Sequence, residues 1–186
     1  MQERENILRI FQEAREAVET GDSARIKNLS NQTNNTAALT NDPDNIAAAV
    51  IVYALSKIIE RVDYHKLPGW KKFYGVYMGA IDRIIDALKR NDDAAYDKHI
   101  SIIRVAIEHL SGKLKIYIQD VFRKASINRA SKLYEHGISM EKTASLLGIS
   151  LFELADYAGS KGLADVPQIK TVDVKARIKM AMEMFE

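Results

Sequence analysis

Apolar residues recur every third or fourth position along most of this 186-residue chain, and strand-like alternation bounded by turn pairs is nearly absent. The only prolines, Pro43, Pro68 and Pro167, stand at junctions between these periodic stretches and interrupt none of them. A chain patterned this way is predicted to be all-α. Its length suits one domain, or one domain with a small appendage, and 47% apolar residues are enough to build a core.

The elements can be placed from their punctuation. The first helix is predicted from Glu3 to Glu19, with Ile7, Ile10, Phe11, Ala14 and Ala17 or Val18 on one face. "TGDS" ends it, and Asp22 or Ser23 is the expected N-cap of the next helix. That next stretch is crowded with amides and hydroxyls from Asn28 to Asn41. Such side chains compete with backbone hydrogen bonds, so a solvated loop or a poor helix is expected there. The alternatives are a polar pocket or a buried hydrogen-bond network against the third helix. Asp44 or Asn45 can cap that third, strongly apolar helix, "IAAAVIVYAL", which is too short a run for a membrane span.

After the turn "YHKLPGW", the residues Trp70, Phe73, Tyr77, Ile81, Ile84 and Leu88 form a helical stripe. Mixed with Lys71 and Lys72, these aromatics are read as core beneath a wet lysine face. Gly75 and Gly79, one turn apart, each cost a helix about 1 kcal/mol relative to alanine. Close approach of another helix backbone is the expected compensation. Asp92–Asp93 then suits a helix N-terminus. Tyr96, Ile100, Ile103, Ile107, Leu110, Leu114, Tyr117 and Val121 follow as one heptad-like seam, which Ser111–Gly112 can kink or break. Ile102, Val105, Ile116 and Ile118 lie outside the seam, so more than one face is apolar. A larger bundle or a homodimer would satisfy them.

Cysteine is absent, which excludes disulfides, thiolate catalysis and zinc–thiolate sites and fits a reducing cytoplasm. The N-terminus is charged and amphipathic and has no signal-peptide pattern. The chain is therefore read as cytoplasmic, with no membrane partner. His65, His99, His109 and His136 form no HxxxH or HExxH pair, and neither a phosphate loop nor a nucleophile elbow is present. No catalytic residue, metal ligand or cofactor site is assigned, and an enzyme is not expected.

Net charge is only +2. It is spread unevenly: residues 1–60 carry 6 basic and 9 acidic groups, residues 61–120 carry 11 and 8, and residues 121–186 carry 10 and 8. DNA binding through phosphates would need local clustering of that weak positive charge.

The sharpest motif is "GISMEKTASLLGISLFELADYAG", Gly137 to Gly159. Ser139 can cap a first short helix. Gly148 suits the left-handed stop, and "SLFE" from Ser150 to Glu153 is a capping box opening a second helix. Ala144 is small where the two helices cross. With "INRASKLYEHG" before it, residues 126–160 resemble the prokaryotic helix-turn-helix, including the short form in small antitoxin-like proteins. The first 120 residues carry no family resemblance and have the look of a narrow prokaryotic family, with an archaeal one among the candidates.

Apolar periodicity gives a multi-helix bundle over 1–124 and a linker with an amphipathic helix over 163–186, and the resemblance implies a helix-turn-helix unit over 125–162. It implies a cytoplasmic regulator that dimerises through its apolar helices and binds double-stranded DNA. Ser150, Leu151, Phe152 and Asp156 would face the major groove, and Arg129, Lys132, Lys142 and Lys161 would contact phosphates. Against it, the second helix lacks arginine, lysine, asparagine and glutamine, the usual base readers. The alternative is a protein-interaction or scaffold module in which Leu151 and Phe152 dock a partner. A small-ligand sensor would need a pocket under the amide-rich stretch.

Overall fold

The computed structural model describes residues 3–40 and 43–135, with isolated positions at 139, 141 and 155. Six α-helices and one 3₁₀ turn make up the described residues, and no strand occurs among them.

Helix α1, Arg4–Thr20, buries Ile7, Ile10, Phe11, Ala14 and Ala17, the expected stripe. It stops at Gly21, where φ is 69°. The Gly21 and Asp22 N–H groups donate to Val18 O and Ala17 O, which closes the last turn. Asp22 then caps α2, Ser23–Thr40, by accepting from Arg25 N at 2.9 Å.

The amide-rich stretch therefore forms a helix in the structure. Among its described side chains Ile26, Leu29, Ser30 and Thr33 are buried, so two of these four inward positions are polar. Ser30 Oγ donates to Ala49 O on the neighbouring helix at 2.7 Å, and Thr33 Oγ1 donates to Leu29 O at 3.0 Å. This corrects the expectation of a solvated loop or a poor helix. Packing supplies the stability that intrinsic propensity does not, and the hydroxyls are satisfied inside.

Helix α3, Pro43–Glu60, begins on a proline, whose missing N–H costs nothing at that position. It is apolar on nearly every side because it packs against α2, α6 and α1. A 3₁₀ turn, Val62–Lys66, leads to α4, Trp70–Lys89. All six residues of the expected α4 stripe are buried. Tyr77 OH donates to Ile51 O at 2.9 Å and ties α4 to α3. After a tight turn, α5 runs from Asp93 to Glu108, with Asp92 accepting from Ala95 N at 2.9 Å. Helices α4 and α5 form an antiparallel hairpin whose turn is held to α1 by Arg4, which reaches Asn91 and Asp93.

The single heptad seam expected from Tyr96 to Val121 does not hold. Helix α5 ends at Glu108, and α6 begins at Gly112, where φ is 59°. The break changes the helical phase. Beyond it Leu114, Ile118, Val121 and Ala125 are buried, while Tyr117 turns out to 42% exposure. Val105 and Ile116, expected to be covered, are exposed in this chain. Helix α6 spans Gly112–Glu135 without interruption, so the boundary expected at 124–125 falls inside it. It packs on α3, α2 and α5. No described helix is long and apolar enough to cross a membrane.

Candidate functional site

The residues assigned to DNA meet the structure unevenly. Ser150, Leu151, Phe152, Asp156, Lys142 and Lys161 lie outside the described residues. Lys132 belongs to α6, but its side chain also lies outside them. Within the motif, Ser139 is non-helical and Glu141 and Ala155 are helical, all three exposed.

Arg129 is a correction. Read from sequence as a phosphate contact, it is buried at 1% exposure. Its Nη1 donates to Ser30 Oγ at 3.2 Å and to Asn31 Oδ1 at 2.9 Å, and its Nη2 donates to Asn128 Oδ1. The guanidinium lies over the Tyr53 ring, 4.3 Å from its centroid. Arg129 follows Ala125 by one turn of α6, so it inherits the buried face. From α2, Ser30 and the Asn31 amide supply acceptors to a guanidinium that has five N–H donors to satisfy.

A groove of about 860 Å³ runs between the first half of α4 and the second half of α5. From α5 it is lined by Lys98, Ser101, Ile102, Val105, Ala106 and His109, spaced as one helical face. From α4 it takes Lys72, Phe73 and Val76, and Leu110 closes one end. The two helices run antiparallel, which brings the start of α4 beside the end of α5. Phe73 is buried as the floor, and Ile102, Ala106 and Leu110 are partly buried against the core. Val76 and Val105 stand at the lips, 37% and 47% exposed.

The electrostatics of this groove have one sign. Among the described residues, Lys72, Lys98 and His109 are its titratable groups and no carboxylate lines it. Neither lysine forms an ion pair with a described residue. Beside it on the exposed face of α4 lie Gly75 and Gly79. A Cβ added at either would meet nothing within 4 Å. The close helix contact expected of this pair is therefore not made within the described chain. The two glycines instead leave open space along the exposed face of α4.

A second hollow, about 640 Å³, is lined by Arg61, Tyr64, Lys113 and Tyr117 among others. Tyr64 and Tyr117 are stacked at 5.3 Å between centroids, and Arg61 donates to Tyr64 OH at 2.6 Å. Its cations stand beside Glu60 and Asp63, so its field is mixed. The Trp70–Lys71–Lys72–Phe73–Tyr74 cluster keeps Trp70 and Phe73 in the core, with both lysines exposed. No group of three or more metal-ligating side chains occurs among the described residues.

Sequence reasoning missed the groove. A signal for it was present in Ile102 and Val105, the apolar positions outside the heptad seam, flanked by Lys98. Comparison with known proteins finds no matching family model, no matching curated protein and no matching solved structure.

Proposed function

We propose that the chain is a protein-binding module whose α4–α5 groove receives an amphipathic helix with carboxylates along its flanks. The observation that carries this reading is the groove itself. Its floor and lips are apolar, its charges are cationic, and none of its lysines is ion-paired among the described residues. Apolar side chains of a partner helix at i, i+3, i+4 and i+7 would cover Ile102, Val105 and Val76. Carboxylates on either side would meet Lys72 and Lys98, which steers association more than it tightens it. The open space over Gly75 and Gly79 on the exposed face of α4 would let the partner backbone come close.

The regulator reading rests on Gly137–Gly159 and on basic residues around it. Arg129 is withdrawn from that set because it is buried. The test uses the full chain and a labelled synthetic helix with leucines at heptad spacing and glutamates on its flanks. Micromolar binding that weakens at least tenfold in Val105→Glu and falls with salt is the expected result. No binding by the acidic helix, with a lysine-flanked control binding equally or better, sinks the proposal. A concentration-dependent dimer lost in Val105→Glu would seat a second copy in the groove instead. Duplex DNA binding lost in Lys132→Glu and Lys142→Glu, yet retained in Val105→Glu, would return function to the helix-turn-helix.

A further inference from the structure

Stacked tyrosines and charges of both signs line the hollow of about 640 Å³ between the 3₁₀ turn and the start of α6. Tyr64, buried, is its fixed centre. The Tyr64 hydroxyl accepts from Arg61 Nη1 at 2.6 Å, and the Arg61 guanidinium lies 5.7 Å from the ring centroid. The same ring stacks on Tyr117, with centroids 5.3 Å apart and planes 17° apart. Tyr117 is 42% exposed, so the outer part of the stack is open to a ligand. Leu67, partly buried against the core, adds an apolar patch to the lining. The volume lies within the range of small-molecule sites, roughly 300–1,000 Å³.

Arg61, Asp63 and Lys113 all line this hollow, yet none of them forms an ion pair among the described residues. Glu60 differs, because Lys57 Nζ lies 2.6 Å from its Oε2 and offsets its charge. Opposite charges held apart in one hollow make a field with two poles. A lone anion is repelled by Asp63, and a lone cation by Arg61 and Lys113. A ligand that carries both charges meets a partner at each end. The helix ends beside the hollow have the same two signs. Helix α3 ends at Glu60 with partial negative charge, and α6 begins at Gly112 with partial positive charge.

We infer that this hollow binds a zwitterionic small molecule of the α-amino-acid class with an aromatic side chain. The ligand carboxylate meets Lys113 and the remaining N–H groups of Arg61, and its ammonium meets Asp63. Its ring extends the Tyr64–Tyr117 stack. Tyr64 acts by positioning: its hydroxyl holds Arg61 and its ring holds Tyr117. The site does not rest on the occupant proposed for the α4–α5 groove, since no residue lines both hollows.

The test is calorimetry of the full chain with L-phenylalanine and with two one-ended analogues. Phenethylamine lacks the carboxylate, and 3-phenylpropanoate lacks the ammonium. The expected result is saturable binding of phenylalanine in the millimolar range or tighter, at least tenfold tighter than either analogue. Asp63→Asn should weaken phenylalanine at least tenfold without weakening 3-phenylpropanoate. Lys113→Gln should weaken phenylalanine and 3-phenylpropanoate without weakening phenethylamine. Both residues are exposed, so the fold should survive the changes. Val105→Glu should leave phenylalanine binding unchanged while abolishing helix docking, which separates a failure here from a failure of the groove. No saturation at tens of millimolar phenylalanine would overturn the inference. So would either analogue binding as tightly as phenylalanine, or wild-type affinity for phenylalanine in either variant of the hollow. Glycine binding as tightly as phenylalanine would overturn the placement of a ring on the tyrosine stack.

Discussion

Where α2, α3 and α6 meet, Ser30, Thr33 and Arg129 are inside and hydrogen-bonded. On the α4–α5 hairpin, Val76 and Val105 are outside, and the lysines beside them are without ion pairs among the described residues. The first region uses polar side chains to fix how three helices sit on one another. The second leaves apolar and cationic surface uncovered. A buried polar group must be satisfied at the moment of folding, because no later partner can reach it. An exposed one can wait. The contrast teaches that composition is a poor guide to role here: the amide-rich helix is architecture, and the ordinary-looking hairpin carries the open surface.

The comparison can be broken most directly at Arg129. Replacement by alanine removes its bonds to Ser30 and Asn31, the Tyr53 contact and a large buried volume. A loss of about 3 kcal/mol in unfolding free energy is expected from denaturant titration. A change within a few tenths of a kcal/mol would mean Arg129 is not structural, and the phosphate reading would recover.

A smaller effect is expected at Tyr77, whose hydroxyl donates to Ile51 O from a buried position. Tyr77→Phe should cost about 1 kcal/mol near neutral pH. The pH dependence follows from burial, which pushes the Tyr77 phenol above the ordinary tyrosine range. A raised folded-state pKa contributes stability that is present below the unfolded value of about 10 and lost as pH rises past it. The wild-type chain should therefore lose stability above about pH 10 more steeply than Tyr77→Phe. Parallel curves for the two proteins would contradict that burial.

The smallest effect sharpens the other side. Gly75→Ala and Gly79→Ala should each stabilise the isolated chain by up to about 1 kcal/mol, since the added methyl meets only open space. The same variants should weaken the acidic helix in the groove, because its backbone could no longer come as close. Stabilisation with undiminished helix binding would show that the partner does not approach over the glycines.

Much of this was legible from residue order. Asp22 sits where a cap was expected, Asp92 lies at the helix N-terminus expected of it, and Gly21 stops α1. The α1 and α4 stripes are buried as their spacing requires. Those features are set within a few turns of chain, by spacing along one helix axis and by the side chain's own reach to nearby N–H groups. Helical class and most element boundaries were determined at that level. Tertiary structure alone decided which neighbour each face would meet. Periodicity could not show that the turn at Gly112 would shift the phase of α6 and expose Tyr117. It could not show that Arg129 would face Ser30 and Asn31 on α2, almost a hundred residues earlier. Nor could it show that Val76 and Val105 would be left uncovered. Local spacing defines a face, and only packing between helices far apart in the chain decides whether that face is filled or left open.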